Sequence, residues 1–350
     1  MRSLESTLVE LVDTPSVTGS EAQICTLIAS RLLPIWTMAG VQRFGDSIVV
    51  GQRTGRPLVA LYGHTDTVPS QGNDSAHVEA GRLFGLGASD MKSGVAVMIH
   101  LLEDAEVRSG PYDVVGVFYD KEEGPSAENG LEGVLNAAPW LEDSELAIVL
   151  EPTDLSLELG CNGTLNADVV FHGHAAHSAR PWLGVNAVTK AGDWLARLDA
   201  RAPQPVAIRG LEYLEVFSVT RAAGGIANNV IPASFTVNLN HRFPPIYSIE
   251  QAEARLREVA ADADEVTITD RGPAGIVPLD NALAERLERL AGGRVAAKQG
   301  WTDVARLSSR DIDAVNYGPG EVALAHQPGE SVSLQNLEAA FTALKTLLTE

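Results

Sequence analysis

The sequence predicts an α/β protein in two parts: a larger domain built on a sheet with helices on both faces, and an inserted ferredoxin-like α+β domain. Three patterns predict it. Short, wholly apolar runs at Leu58–Tyr62, Val114–Tyr119 and Leu146–Leu150 alternate with helical spacing at Gly94–Leu102 and Leu131–Ala138. Strands without a polar face belong in a sheet covered on both sides. From about Gly163 the style changes, and the elements run strand (Asn166–Phe171), helix (Asn186–Leu198), strand (Tyr213–Thr220), strand (Ser234–Asn240), helix (Ile249–Ala261), strand (Val266–Thr269). That β-α-β-β-α-β order is the ferredoxin-like one. After a linker at Arg271–Gly275, helices at Ala282–Leu290 and Leu334–Leu348 flank short strands near Val295 and Val315 and resume the first style. The expected boundaries are residues 1–162 and 276–350 for the larger domain and 163–275 for the insertion.

At the start of the chain, residues 4–13 and 20–33 carry Leu, Val and Ile at helical spacing, split by the turn Thr14–Gly19. A length of 350 residues suits two domains better than one. Apolar residues at 45% and charged residues at 21% are ordinary for a globular protein. The net charge of −20, from 26 basic and 46 acidic residues, argues against nucleic acid and anionic membrane surfaces, both of which select basic proteins. Cys25 and Cys161 are too few and too far apart for a disulfide framework, which points to a reducing setting. Met1–Glu5 runs into an amphipathic pattern rather than a signal sequence, and no apolar run approaches the ~20 residues needed to cross a bilayer. A cytoplasmic location is the expectation.

Polar residues that carry chemistry follow directly on the apolar runs. His64 and Asp66 stand in Gly63–Pro69 after the first run. Asp90 ends the Gly-rich stretch Gly85–Asp90, which opens a helix. Glu122 and Glu123 follow the second run, and Glu151 the third. Ligands of open α/β sheets bind at the carboxyl ends of the strands, so these groups should converge. Neighbouring carboxylates cannot all stay ionised without a cation. A mixed imidazole and carboxylate set favours zinc, with cobalt or manganese as substitutes, over calcium or magnesium. Taken singly, each motif has a bland reading. A strand-end His-x-Asp is common, adjacent glutamates are usually solvated, and Glu-Pro is often a turn. The Gly-rich loop could cradle phosphate but lacks the Walker pattern. Their order and placement together point to a metal centre.

These motifs, with Gly300–Arg306 and Gly318–His326, resemble the aminoacylase and carboxypeptidase superfamily of di-zinc hydrolases over nearly the whole chain. Within it they are most similar to the actinobacterial branch that removes succinyl groups from diamino acids. The resemblance implies a di-zinc aminopeptidase-like catalytic domain, with the insertion serving as a lid and dimerisation domain of a homodimer. It implies two Zn2+ ions, for which Co2+ can substitute. Asp90 would bridge them, through a cis peptide bond to Met91. His64 and Glu151 would complete one site, and Glu123 and His326 the other. Asp66 would hold the His64 ring. Glu122 would be the general base, taking a proton from water and passing it to the leaving amine, while the metals polarise the scissile carbonyl. His177, within Gly173–Pro181, would supply the oxyanion donor, often across the dimer.

The remaining histidines, His77, His100, His172, His174 and His241, carry no motif and read as structural or surface residues. Cys161 lacks the companions of a catalytic thiol. A succinylated substrate needs cationic or donor groups for its carboxylates, and Arg242 and Asn229 match family substrate contacts, with Arg180 an added candidate. One departure is visible. Enzymes of the Gram-negative type carry arginines where this chain has Cys161 and Asn162, so the anchoring of the distal carboxylates differs. An N-acetyl-ornithine-type deacetylase, or a dipeptidase or carboxypeptidase of the same superfamily, would share the metal ligands and differ in the pocket. A non-catalytic metal- or peptide-binding protein would be expected to lack the base, and Glu122 is present.

Overall fold

The computed structural model describes residues 3–278 and 280–350; Met1, Arg2 and Leu279, which fall within the N-terminal and domain readings above, lie outside them. The chain divides into two compact units: Met1–Gly160 with Ile276–Ala296 and Thr302–Glu350, and Cys161–Gly275 with Ala297–Trp301.

The first unit is built on an eight-stranded sheet. Its centre is Leu58–His64, parallel to Asp113–Tyr119 on one side and to Ser144–Val149 on the other. Ala314–Asn316 continues the parallel run beside Ser144–Val149. An antiparallel hairpin, Val41–Phe44 and Ser47–Val50, extends the sheet beyond Asp113–Tyr119. Every residue of Leu58–His64 and of Asp113–Tyr119 is buried, because both faces are covered. Val59 and Leu61 pack into the larger core with helices Leu4–Val12, Ala22–Trp36, Lys92–Glu103 and Leu334–Thr349. Leu58, Ala60 and Tyr62 face the other core with Gly130–Ala137 and Val304–Ser308. A separate three-stranded sheet, Ser331–Ser333, Arg82–Phe84 and His77–Glu79, joins the C-terminal part of the unit to the loop before Asp90.

The second unit is a five-stranded antiparallel sheet in the order Gln204–Ile208, Leu211–Gly224, Ser234–Phe243, Gly163–His172, Glu265–Gly272. Gly163–His172 alternates buried and half-buried residues, so one face packs: Leu165, Ala167, Val169 and Phe171 meet Trp194, Leu198, Ala252 and Leu256 of the helices. Three details differ from the sequence expectation. The first helix is two, Ala187–Lys190 and Gly192–Asp199, separated at Ala191. An extra edge strand, Gln204–Ile208, precedes the second strand; its residues are exposed or half-buried, so it carries no apolar run to announce it. Arg271 and Gly272 belong to the last strand rather than to a linker, through ladder pairing with Leu165 and Thr164. Among the described residues no helix is long and apolar enough to cross a membrane.

Candidate metal centre

The sheet register brings the candidate ligands to one edge. His64 is the last residue of its strand and lies level with Tyr119, and Tyr62 lies level with Val149. The segments carrying Glu122–Glu123 and Glu151 therefore leave neighbouring strands beside His64. Helix Lys92–Glu103 approaches the same edge through Gly94, where a Cβ would stand 2.3 Å from the Leu150 carbonyl oxygen. Gly318 allows a similar approach, with a Cβ there 2.3 Å from the Glu151 carbonyl oxygen. The helix starts just after Asp90, and the Asp90–Met91 peptide bond is cis.

Among the described residues three overlapping groups result, each with its candidate ligand atoms within 4.8 Å of one another: His64–Asp90–Glu151, His64–Glu122–Glu123 and Asp90–Glu123–His326. Asp90 faces both ways. Its Oδ1 is 3.2 Å from His64 Nε2 and its Oδ2 is 3.4 Å from His326 Nε2. Glu151 Oε1 stands 4.0 Å from His64 Nε2, and Glu123 Oε1 stands 2.7 Å from His326 Nε2. His326 has φ +59°, a left-handed backbone conformation uncommon outside glycine.

Asp66 is wholly buried and does more than orient an imidazole. Its side-chain oxygen is 3.5 Å from His64 Nδ1, while its backbone oxygen is nearer, at 3.1 Å. The carboxylate itself accepts the backbone N–H groups of Glu122 and Glu123 at 2.9 and 3.0 Å, and the Thr18 hydroxyl at 2.9 Å. It fixes the start of the loop that carries both glutamates.

The electrostatics show what the site lacks without a cation. Burial disfavours a charged His64, yet its contacts with Asp66 and Asp90 and the nearby Glu151 and Glu122 carboxylates push its pKa well above the ordinary imidazole value. The Asp90 and Glu123 carboxylates raise His326 to about 10. Burial, with the charges of Glu151, Asp303 and Glu123, pushes Glu122 well up, against the pull of His64. Burial opposes the ionised form of Asp90, but the two imidazoles hold its pKa low. Protons collect where four carboxylates crowd together, and divalent ions would take their place. Two imidazoles and the carboxylates, one of them facing both ways, make a nitrogen and oxygen donor set that fits a pair of such ions.

Residues 60–350 match the profile of Peptidase family M20/M25/M40. The chain belongs to this family. Over 97% of its length and 96% of the relative's, it is 40% identical to a putative succinyl-diaminopimelate desuccinylase, DapE, of Mycobacterium tuberculosis. It is 36% identical to succinyl-diaminopimelate desuccinylase of Corynebacterium glutamicum, over 97% of this chain and 94% of that one. Among solved structures, it superposes with a TM-score of 0.69 and 17% identity on Bacillus subtilis YXEP, described as a dinuclear metal-binding peptidase of the M20 family, covering 99% of this chain and 96% of the other. As an M20 protein with these relatives, the chain is a metal-dependent amidohydrolase.

Four of the predicted residues lie in the second unit of this M20 chain. His177 is exposed, with its Nδ1 accepting the Ala179 N–H at 3.1 Å. Its segment pairs with the one carrying Asn229: Ser178 N donates to Asn229 O at 2.9 Å, and Ile231 N to Ala176 O at 2.8 Å. Arg180 and Asn229 are exposed, whereas Arg242 is half-buried on its strand and donates from Nε to Asn240 Oδ1 at 3.2 Å. His241 is buried against Glu215 at 2.9 Å, His100 against the Thr7 hydroxyl at 2.8 Å, and exposed His172 pairs with Glu265 at 2.8 Å.

Sequence reasoning missed Glu330. Its buried carboxylate accepts the backbone N–H groups of Gly87, Ser89 and Asp90 at 3.1, 2.9 and 2.9 Å and so sets the Asp90 loop. Its only sequence signal is that it lies four residues after His326. Also missed was Asp303, fully buried and bonded to Asn129 and Arg306.

Proposed function

We propose that the chain hydrolyses N-succinyl-LL-2,6-diaminopimelate to succinate and LL-2,6-diaminopimelate, as a cytoplasmic homodimer using two Zn2+ ions for which Co2+ can substitute. The observation that carries this reading is the nearly full-length identity, at 40% and 36%, to relatives named for that reaction, in a chain whose His64, Asp90, Glu151, Glu123 and His326 lie close enough to hold metal ions.

His64, Asp90 and Glu151 would hold one ion and Asp90, Glu123 and His326 the other. Bound there, the ions supply Lewis acidity, polarising the scissile carbonyl and acidifying a water. The chain's own residues do the rest. Glu122 belongs to the cluster but is left out of both ligand sets that share Asp90. Its carboxylate oxygen takes the proton of the attacking water and delivers it to the departing amine nitrogen. Asp66 holds Glu122 in place by its backbone N–H. His177 is the proposed donor to the developing oxyanion, and Arg242, Asn229 and Arg180 the proposed partners of the substrate carboxylates.

A substrate panel tests the reading. The succinyl substrate should exceed N-acetyl-ornithine by roughly one to three decades in kcat/KM, since a pocket built for a carboxylate leaves a cation unpaired when acetyl is bound. Arg242→Ala should narrow that gap by slowing the succinyl substrate far more. Equal turnover of both by the wild type would remove the desuccinylase assignment and leave the amidohydrolase.

A further inference from the structure

The loop carrying Glu122 and Glu123 is fastened at two ends. Asp66 holds its start through the N–H groups of both glutamates. The far end is held from another part of the chain. Asn129 donates its side-chain amide to both oxygens of Asp303, at 3.2 and 3.1 Å, while its own Oδ1 caps the next helix by accepting Leu131 N at 2.9 Å. Arg306 donates Nε to Asp303 at 2.8 Å and Nη2 to the Ser126 carbonyl and hydroxyl at 2.6 and 2.7 Å. Asp303 has no exposed surface, and the helix Val304–Ser308 that follows it packs its apolar side, Val304 and Leu307, into the same core as Leu131 and Val134. The clamp is thus a buried carboxylate shared between an amide and a guanidinium, and the guanidinium also grips the loop backbone.

We propose that Asp303, acting through Asn129 and Arg306, is a positioning residue that fixes Glu122 for proton transfer and Glu123 for the ion it shares with His326. The proposal rests on the roles given above to Glu122 and Glu123. Without the clamp the base of the loop keeps two ties, Lys121 N–H to Glu21 Oε1 at 3.2 Å and Gly130 N–H to the Asp120 carbonyl at 2.9 Å, but Ser126 and the Asn129 amide are released, and a misplacement of ~1 Å at a reacting group can cost about 10²-fold in rate. Partners of metal ligands typically contribute 10–100-fold in metal affinity. His64 and Glu151 are carried by the ends of central strands rather than by the clamped loop, although the Asp303 charge is felt at His64.

Asp303→Asn and Arg306→Lys test it. The first keeps the shape and one acceptor for Asn129 but removes the charge facing Arg306. The second keeps a charge, but a lone ammonium cannot span Asp303 and both Ser126 oxygens. Co2+ would be titrated calorimetrically into metal-free wild type and variants, with steady-state kinetics alongside. The expected result in both variants is a second step weakened about tenfold or more and kcat down about 10²-fold with KM within a few-fold, with the first step unchanged in Arg306→Lys, which keeps the Asp303 charge. Two unchanged steps with kcat near wild type would overturn the proposal. So would equal weakening of both steps with kcat restored on correction for the folded fraction, which is the mark of a merely structural role. Should Asp303→Asn fail to fold, Arg306→Lys decides by the same criteria. A wild type that binds two ions but releases no succinate would refute the substrate reading, and the titration would still decide this one.

Discussion

The two candidate ligand sets that share Asp90 are built to different standards of enclosure. His64 is 1% exposed and Glu151 7%, both on segments leaving central strands, whereas His326 is 48% exposed and comes from a loop. His64 also has a partner at Nδ1, the Asp66 carbonyl, to fix its ring. The difference teaches that the two ions need not be equivalent. His64 and Glu151 of the enclosed set are placed by the sheet, whereas Glu123 and His326 of the open set come from loops; Asp90, common to both, sits on the loop held by Glu330. An ion in the first should bind more tightly and exchange more slowly.

The largest effect should come from the residue that belongs to neither set. Glu122→Gln should lower kcat by about 10²–10⁴-fold while both ions remain, because only the proton carrier is removed. A parallel fall in metal content would make Glu122 a ligand and redraw the comparison. Removing the imidazoles should then separate the sets. His326→Ala should retain one ion through dialysis against a mild chelator, whereas His64→Ala should lose the tight one, a difference of about 10–100-fold in affinity measured by metal analysis. Equal retention by the two variants would mean equal sites.

The smallest effect is a proton count. Without metal, the Asp90 and Glu123 carboxylates raise His326 to about 10, so it carries a proton at about pH 8 and releases it when an ion binds. Calorimetry in buffers of different ionisation enthalpy should therefore give different heats; identical heats would refute it. The same shift fixes a sign. His326 titrates higher folded than unfolded, so its contribution to the metal-free protein is complete below about pH 6.5 and is lost as pH rises through about 10. The Tm of the metal-free protein should fall over that window more than that of the metal-loaded protein.

The enclosed set was legible in the sequence because each member ends a local signal: His64 after Leu58–Tyr62, Glu151 after Leu146–Leu150, Asp90 where a Gly-rich loop meets a helix. Burial on both faces leaves strands with no polar residues, so the first polar ones mark the edge of the sheet. Residues that act only through tertiary contact left no such mark. Glu330 reaches Asp90 across 240 residues, and Asp303 reaches Asn129 across 174. Asp303 stood within a recognised motif, Gly300–Arg306, but nothing local says what its carboxylate holds. The edge strand Gln204–Ile208 went unread because Pro205 and an exposed pattern look like a loop. The break at Ala191 was hidden because apolar spacing runs on across it.

His326 and Glu123 meet although 203 residues separate them, and the whole of the inserted unit lies in that interval. Closing so long a loop costs on the order of 5 kcal/mol in chain entropy by the logarithmic rule, beyond a constant term. During synthesis His64, Asp90 and Glu151 are added long before His326 is translated, and strand Ala314–Asn316 takes its place beside Ser144–Val149 after them. The centre is thus assembled in two instalments separated in time. The last segment brings both His326 to Glu123 and Glu330 to the Asp90 loop, so neither candidate set has its full surroundings until that segment returns to the beginning.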